Sequence, residues 1–163
     1  MLYIVMLGGR HPRARIEVHD VLFAQADSLE QTYPQLCQGW FGSRQGLHID
    51  SWIEVSGVDH YRVEFSQAAP GSDDPRLFFI NLGGYEDGVF GEAHRYLLVV
   101  ARDKAEAKRL GKRRLQANWL KQHIDTVLEV DDCLPIEWVN GRYVHLIEGP
   151  HDGLRQYSDY IVL

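Results

Sequence analysis

The feature that most constrains this chain is that it repeats itself. Shifted by 75 positions, residues 2–55 align with 77–130 without a gap, and 13 of the 54 pairs are identical. Unrelated sequences of average composition would share about 3. The identities gather at the ends of apolar runs: Leu7-Gly8-Gly9 with Leu82-Gly83-Gly84, Glu17 and His19 with Glu92 and His94, His48-Ile49-Asp50 with His123-Ile124-Asp125, and Glu54-Val55 with Glu129-Val130. The expected organisation is a first repeat over 1–65, a linker over 66–75 (SQAAPGSDDP, dense in turn formers), and a second repeat over 76–163 that adds a C-terminal hairpin and strand. A unit this small buries too little surface to be comfortably stable alone. The two copies are therefore expected to pack together about a pseudo-two-fold axis.

Each copy opens with an apolar run, Leu2–Leu7 or Leu77–Leu82, read as a buried strand that ends in a glycine turn. A second strand is expected over Glu17–Ala26 and Glu92–Ala101. Its two-residue period sets His19, Val21 and Phe23 on one face, and likewise His94, Tyr96 and Leu98. Asp103, three residues before Glu106, predicts the start of a helix running to Ala117. In the first copy Leu29, Tyr33, Leu36, Cys37 and Trp40 recur at helical spacing, and Pro34 predicts a kink or restart. A third strand is expected over His48–Val55 and His123–Val130, with Ile49, Ile53 and Val55 on the core face and His48, Asp50, Trp52 and Glu54 on the other. Asn140-Gly141 predicts a hairpin within Ile136–Leu146, and a last strand is expected within Tyr157–Leu163. The fold class is thus α+β: two tandem β-β-α-β(β) repeats with largely antiparallel sheets and helices on one face.

Charge narrows the partners. A net charge of −6 opposes general attraction to nucleic acid or anionic lipid. No apolar run approaches the roughly 18 residues a membrane-spanning helix needs. The opening MLYIVMLGG lacks the basic lead of a signal peptide, so the expected location is cytoplasmic. Cys37 and Cys133 have no CxxC spacing, which argues against a disulfide framework or a structural zinc site.

The matched histidines carry the chemistry. His-x-Asp and Glu-x-His, two apart on a strand, present both side chains on one face, where imidazole and carboxylate bind ligands or move protons. Metal ligation needs three or four convergent donors, and no local motif such as HExxH supplies them, so no metal ligand is assigned. A histidine fixing a strand end is the plainer reading. The candidate ligand-binding residues are Arg10, His19, His48, Asp50, His94, His123 and Asp125. Arg10 follows the first glycine pair and offers a planar fork to a carboxylate or phosphate, although a solvated loop is the ordinary fate of such a charge. The basic run Lys108, Arg109, Lys112, Arg113 and Arg114 reads as the solvated side of a half-buried helix. Trp40, Trp52, Trp119 and Trp138 read as core or sheet packing. No cofactor is implied.

The segments LGGR (Leu7–Arg10), EVHD (Glu17–Asp20), WFG (Trp40–Gly42), HIDSW (His48–Trp52), NLGGY (Asn81–Tyr85), FGEAHRY (Phe90–Tyr96) and the tail HLIEGPH resemble the bacterial domain-of-unknown-function family 1543. The resemblance implies one or two copies of a domain and brings no assigned activity, cofactor or catalytic residue. Three functions are carried forward: a small ligand-binding or regulatory module with a small-molecule ligand between the copies, a metal-assisted or acid–base enzyme using the paired His-x-Asp residues, and a protein-interaction element that forms a homodimer through an exposed sheet edge.

Overall fold

The computed structural model describes residues 1–85, 87–119 and 129–163, with side chains in the second helix as far as Arg114. Strand β1 (Leu2–Gly9) is the spine of the first half and pairs antiparallel with β2 (Val18–Gln25) on one side and β3 (His48–Val55) on the other. Between β2 and β3, a 3-10 turn (Glu30–Thr32) leads into helix α1 (Tyr33–Gly39). The restart expected at Pro34 is present: the proline sits in the first helical turn, where its missing N–H needs no partner.

A short hairpin, β4 (Gly57–Val58) and β5 (Tyr61–Ser66), precedes the turn-rich stretch. The chain then forms β6 (Arg76–Gly84), β7 (Ala93–Ala101) and helix α2 (Lys104–Trp119). The predicted cap of α2 forms: Asp103 Oδ1 accepts the Glu106 N–H at 2.8 Å, and the Glu106 carboxylate accepts the Arg102 N–H at 2.9 Å. Strands β8 (Glu129–Pro135), β9 (Trp138–Val139), β10 (Arg142–Glu148) and β11 (Leu154–Val162) complete the chain. Asn140 and Gly141 both take positive φ, the primed-turn geometry that the Asn-Gly signal predicted.

Three antiparallel sheets result, ordered β11-β3-β1-β2, β7-β6-β8 and β4-β5-β10-β9. Alternation along β1 and β6 explains their arrangement. Tyr3, Val5 and Leu7 bury against Leu29, Leu36 and Trp40 on the α1 side, and Phe78, Ile80 and Leu82 share a core with Ala107 on α2. The opposite faces, Leu2 and Ile4 against Leu77 and Phe79, meet in a common core closed by Val58, Val139, Val144 and Leu146 of the third sheet. The order of layers is helix, sheet, sheet, helix. β11 runs back across the molecule to pair with β3, so the chain's last strand completes the first sheet. Among the described residues no helix is long and apolar enough to cross a membrane.

Three expectations need correction. The glycine pairs lie inside β1 and β6 rather than in turns, and none of the four has positive φ. The third strand does not keep one alternation. A bulge where Met6 pairs with Ser51 but Leu7 with Ile49 leaves Asp50 as an extra residue, so Ile49 packs on the α1 side together with Trp52, while Ile53 and Val55 face the common core. The 75-residue offset also fails at β8: Val55 pairs with Leu2, but Val130 pairs with Leu82, and the backbone N–H that reaches the Leu77 carbonyl belongs to Ile136. Residues 120–128, which include His123, Ile124 and Asp125, lie outside the described residues. Trp40 is buried, and the exposed Trp138 packs T-shaped against its cross-strand neighbour Tyr143; the Trp119 side chain lies outside the described residues.

Removing the α2 cap tests this description. Asp103→Ala is expected to cost about 1 kcal/mol, read as a fall in Tm of roughly 2–4 °C in circular dichroism melts. Asp103→Ser should recover most of the loss.

Candidate functional site

The outer end of β1 gathers a polar cluster. Gly8 pairs with His19 on one side and His48 on the other. Its missing side chain leaves the space that they fill: a Cβ there would collide with His48 Nε2 and lie 2.7 Å from Asp50 Oδ2. Gly9 has the same reason to be glycine on the other face, where a Cβ would lie 2.9 Å from the Trp40 ring. The bulge at Asp50 adds the second half of the geometry. By breaking the alternation, it turns a carboxylate toward the same side as His48 and His19.

His48 is only 1% exposed. Its Nδ1 lies 2.8 Å from the Gly46 carbonyl oxygen, which can only accept, so Nδ1 donates to it. The Tyr160 ring covers the imidazole at 4.3 Å between centroids. His48 Nε2 stands 3.4 Å from Asp50 Oδ1 and 3.6 Å from Glu17 Oε1. His19 Nε2 stands 3.3 Å from Glu17 Oε1 and 3.3 Å from Asp50 Oδ2. Among the described residues neither His48 Nε2 nor Asp50 Oδ2 has a hydrogen-bond partner.

A related cluster lies over Gly83. The bulge in β8 falls at Asp131, so that Gly83 pairs with His94 and Glu129 as Gly8 pairs with His19 and His48. Glu92, His94 and Asp131 bring one ligand-capable atom each within 4.8 Å of one another, all three residues being exposed. Glu129 takes the register position of His48, so among the described residues the second cluster has one imidazole where the first has two. His94 Nδ1 faces Asn81 Oδ1 at 3.1 Å, and the Asn81 amide donates to Asp132 at 3.0 Å.

Between the two sheets a cleft of about 800 Å³ is lined by His19, Asp20 and Asp50 from one and Asn81, His94 and Asp132 from the other. Met6, Val21, Phe79 and Leu134 supply its apolar surface. The Tyr96 ring lies near-parallel to Phe79 at 5.5 Å, and its phenol is pushed up by burial first and then by the charge of Asp132, which keeps it a neutral hydrogen-bond donor.

Of the residues proposed from sequence, His19, Asp50 and His94 therefore line one cleft, and His48 sits behind His19 and Asp50. Arg10 is exposed at the end of β1, contributes its backbone carbonyl to Ser43, and does not line the cleft. His123 and Asp125 fall outside the described residues. Asp131, Asn81 and Asp132 were missed. The match of Asp50 to Asp125 drew attention six residues too early, and only strand register identifies Asp131.

The close approach at each glycine gives a comparative prediction. Gly8→Ala is expected to cost about 1–3 kcal/mol by overpacking, because His48 is fully enclosed. Gly83→Ala should cost less, since the carboxylates of Glu92 and Asp131 are exposed and can move aside. Urea unfolding midpoints of the two variants check the order.

Residues 14–65, which carry β2, α1, β3 and the β4–β5 hairpin, match the profile of the Domain of Unknown Function (DUF1543) family. None of the curated proteins matches the chain. A solved structure, the crystal structure of a protein Il1583 from Idiomarina loihiensis, is similar at 34% sequence identity with a TM-score of 0.73, over 98% of this chain and 95% of that one. Similarity of that extent and identity, together with the profile match over the Gly8-facing strands, places the chain in the Domain of Unknown Function (DUF1543) family.

Proposed function

We propose that this protein is a small ligand-binding or regulatory module whose cleft between the two sheets takes a small molecule bearing an amine or several hydrogen-bond donors. The observation that supports this reading is the composition of the cleft. Three carboxylates, Asp20, Asp50 and Asp132, line it with no lysine or arginine among the described residues of its main chamber, and Arg95 lines the part of the cleft that continues past Tyr96. Such a chamber favours a cation or a donor-rich ligand. The stacked Phe79 and Tyr96 rings offer an aromatic surface against which an ammonium group or an apolar stem can lie. Asn81, held by Asp132 and His94, and the two histidines supply directional polar contacts, so the chamber combines the apolar walls and few convergent polar groups typical of ligand sites.

The same reading accounts for the tandem organisation. We take the halves 1–65 and 76–163, joined by the linker 66–75, as copies of one ancestral unit related by a pseudo-two-fold axis, which sets equivalent glycine-backed clusters at one shared cleft. Support comes from the equal registers Gly8 with His19 and Gly83 with His94, and from bulges at corresponding places in β3 and β8.

Thermal-shift measurements with spermidine, agmatine and free basic amino acids, set against dicarboxylates of similar size, test the proposal. A ligand at a hundred times its Kd stabilises the folded state by about 2.7 kcal/mol, so a rise in Tm of several degrees is expected for at least one amine and none for the dicarboxylates. Tyr96→Ala and Asp132→Asn should remove the shift. A shift that survives both variants, or none with any amine, would overturn the assignment.

A further inference from the structure

We infer that β11 is a self-association edge: two copies of this chain pair their β11 strands antiparallel about a two-fold axis through Tyr157, joining their four-stranded sheets into one. The edge strands of eight residues or more are β2, β7 and β11, and the first two have side chains bonded to their backbone. Gln35 engages both the N–H and the carbonyl of Gln25 on β2, and Arg114 donates to the Leu98 carbonyl on β7. Among the described residues the backbone of β11 bonds only to β3. A nine-residue edge strand without lysine or proline lacks the usual guards against pairing with another chain.

Backbone direction and charge agree on one register. The Ser56 N–H reaches the Gly153 carbonyl at 3.0 Å, and the Leu163 N–H reaches the Leu47 carbonyl at 3.0 Å. Counted by two from either end, the backbone groups of Leu154, Gln156, Ser158, Tyr160 and Val162 point outward, away from β3. The irregularity that sets Asp159 and Tyr160 opposite Asp50 leaves that count unchanged. A pair centred on Tyr157 then exchanges N–H···O bonds between Gln156 and Ser158 and between Leu154 and Tyr160. It also sets Arg155 opposite Asp159 twice, at the positions where side chains of an antiparallel ladder approach most closely. Among the described residues Asp159 has no ion-pair partner, and Arg155 has only the exposed Asp152 at 3.5 Å. Arg155, Tyr157 and Asp159 share the face on which Tyr157 stacks over Trp52 and Ile161 enters the same core. Centring the pair on Gln156 or Ser158 keeps the backbone groups facing but parts Arg155 from Asp159, so charge selects Tyr157. Leu154, Tyr157 and Tyr160 are exposed large apolar side chains of this strand. The pairing covers them and lays Leu154 of one copy beside Tyr160 of the other, the ring that covers His48.

Sedimentation velocity over a concentration series is the test, with a concentration-dependent dimer as the expected result. Arg155→Asp and Asp159→Arg, each at an exposed position with folding checked by circular dichroism, should weaken the dimer about tenfold or more, because the two-fold counts every reversed pair twice. The double exchange Arg155→Asp/Asp159→Arg restores opposite charges across the axis and should recover dimerisation. In a Cys37→Ser background, Tyr157→Cys should give a covalent dimer on mild oxidation, since residues facing each other on the axis stand about 4.5 Å apart, within disulfide reach. The inference falls if the parent sediments as a monomer at every concentration, or if the dimer survives both single exchanges, which would put the contact on another surface. It falls equally if the double exchange stays monomeric, or if Ser158→Cys crosslinks in place of Tyr157→Cys.

Discussion

The architecture depends on β1 and β6 being buried on both faces. A strand with one wet face could be covered by a single helix. These two strands carry apolar side chains in both directions, so each needs a helix on one side and another sheet on the other. The meeting of Leu2 and Ile4 with Leu77 and Phe79 ties the halves into one core, and the third sheet, drawn from β4, β5, β9 and β10, caps it. Beyond Ile4 and Phe79 the facing positions become Met6 and Gly8 on one strand and Asn81 and Gly83 on the other. Apolar contact gives way there to polar and empty positions, and the sheets leave a cleft where the core runs out.

At that edge the backbone does what side-chain pattern alone would not. Each bulge inserts one residue into a ladder and turns an aspartate toward a neighbouring histidine, and each glycine withdraws the side chain that would otherwise occupy the same space. In the first cluster the His48 ring is covered by Tyr160 from β11, a strand that arrives from the far end of the sequence. Its histidine is dry and oriented. The second cluster has one imidazole among the described residues and turns it toward Asn81, which in turn donates to Asp132. Two similar scaffolds thus hold chemically different sets of groups around one acidic cleft.

The sequence by itself determined a good deal. Periodicity and capping located β1, β2, β6, β7 and both helices, because those signals are local: two-residue alternation, an Asp-x-x-Glu cap, a proline tolerated in a first turn, an Asn-Gly hairpin. It also placed His19, Val21 and Phe23 on one face and His94 with Tyr96 on another, since no bulge interrupts β2 or β7. Tertiary structure decided the rest. Register between strands distant in sequence is fixed by core packing, so the gapless match of His48 and Asp50 to His123 and Asp125 could not disclose that Asp131 is the carboxylate set beside His94. The reason for the glycines was likewise hidden, because steric room for an imidazole forty residues away leaves no local trace. Nor could a linear pattern show that β11 returns to cover His48, since that pairing joins segments about a hundred residues apart and depends only on which sheet edge the assembled core leaves open.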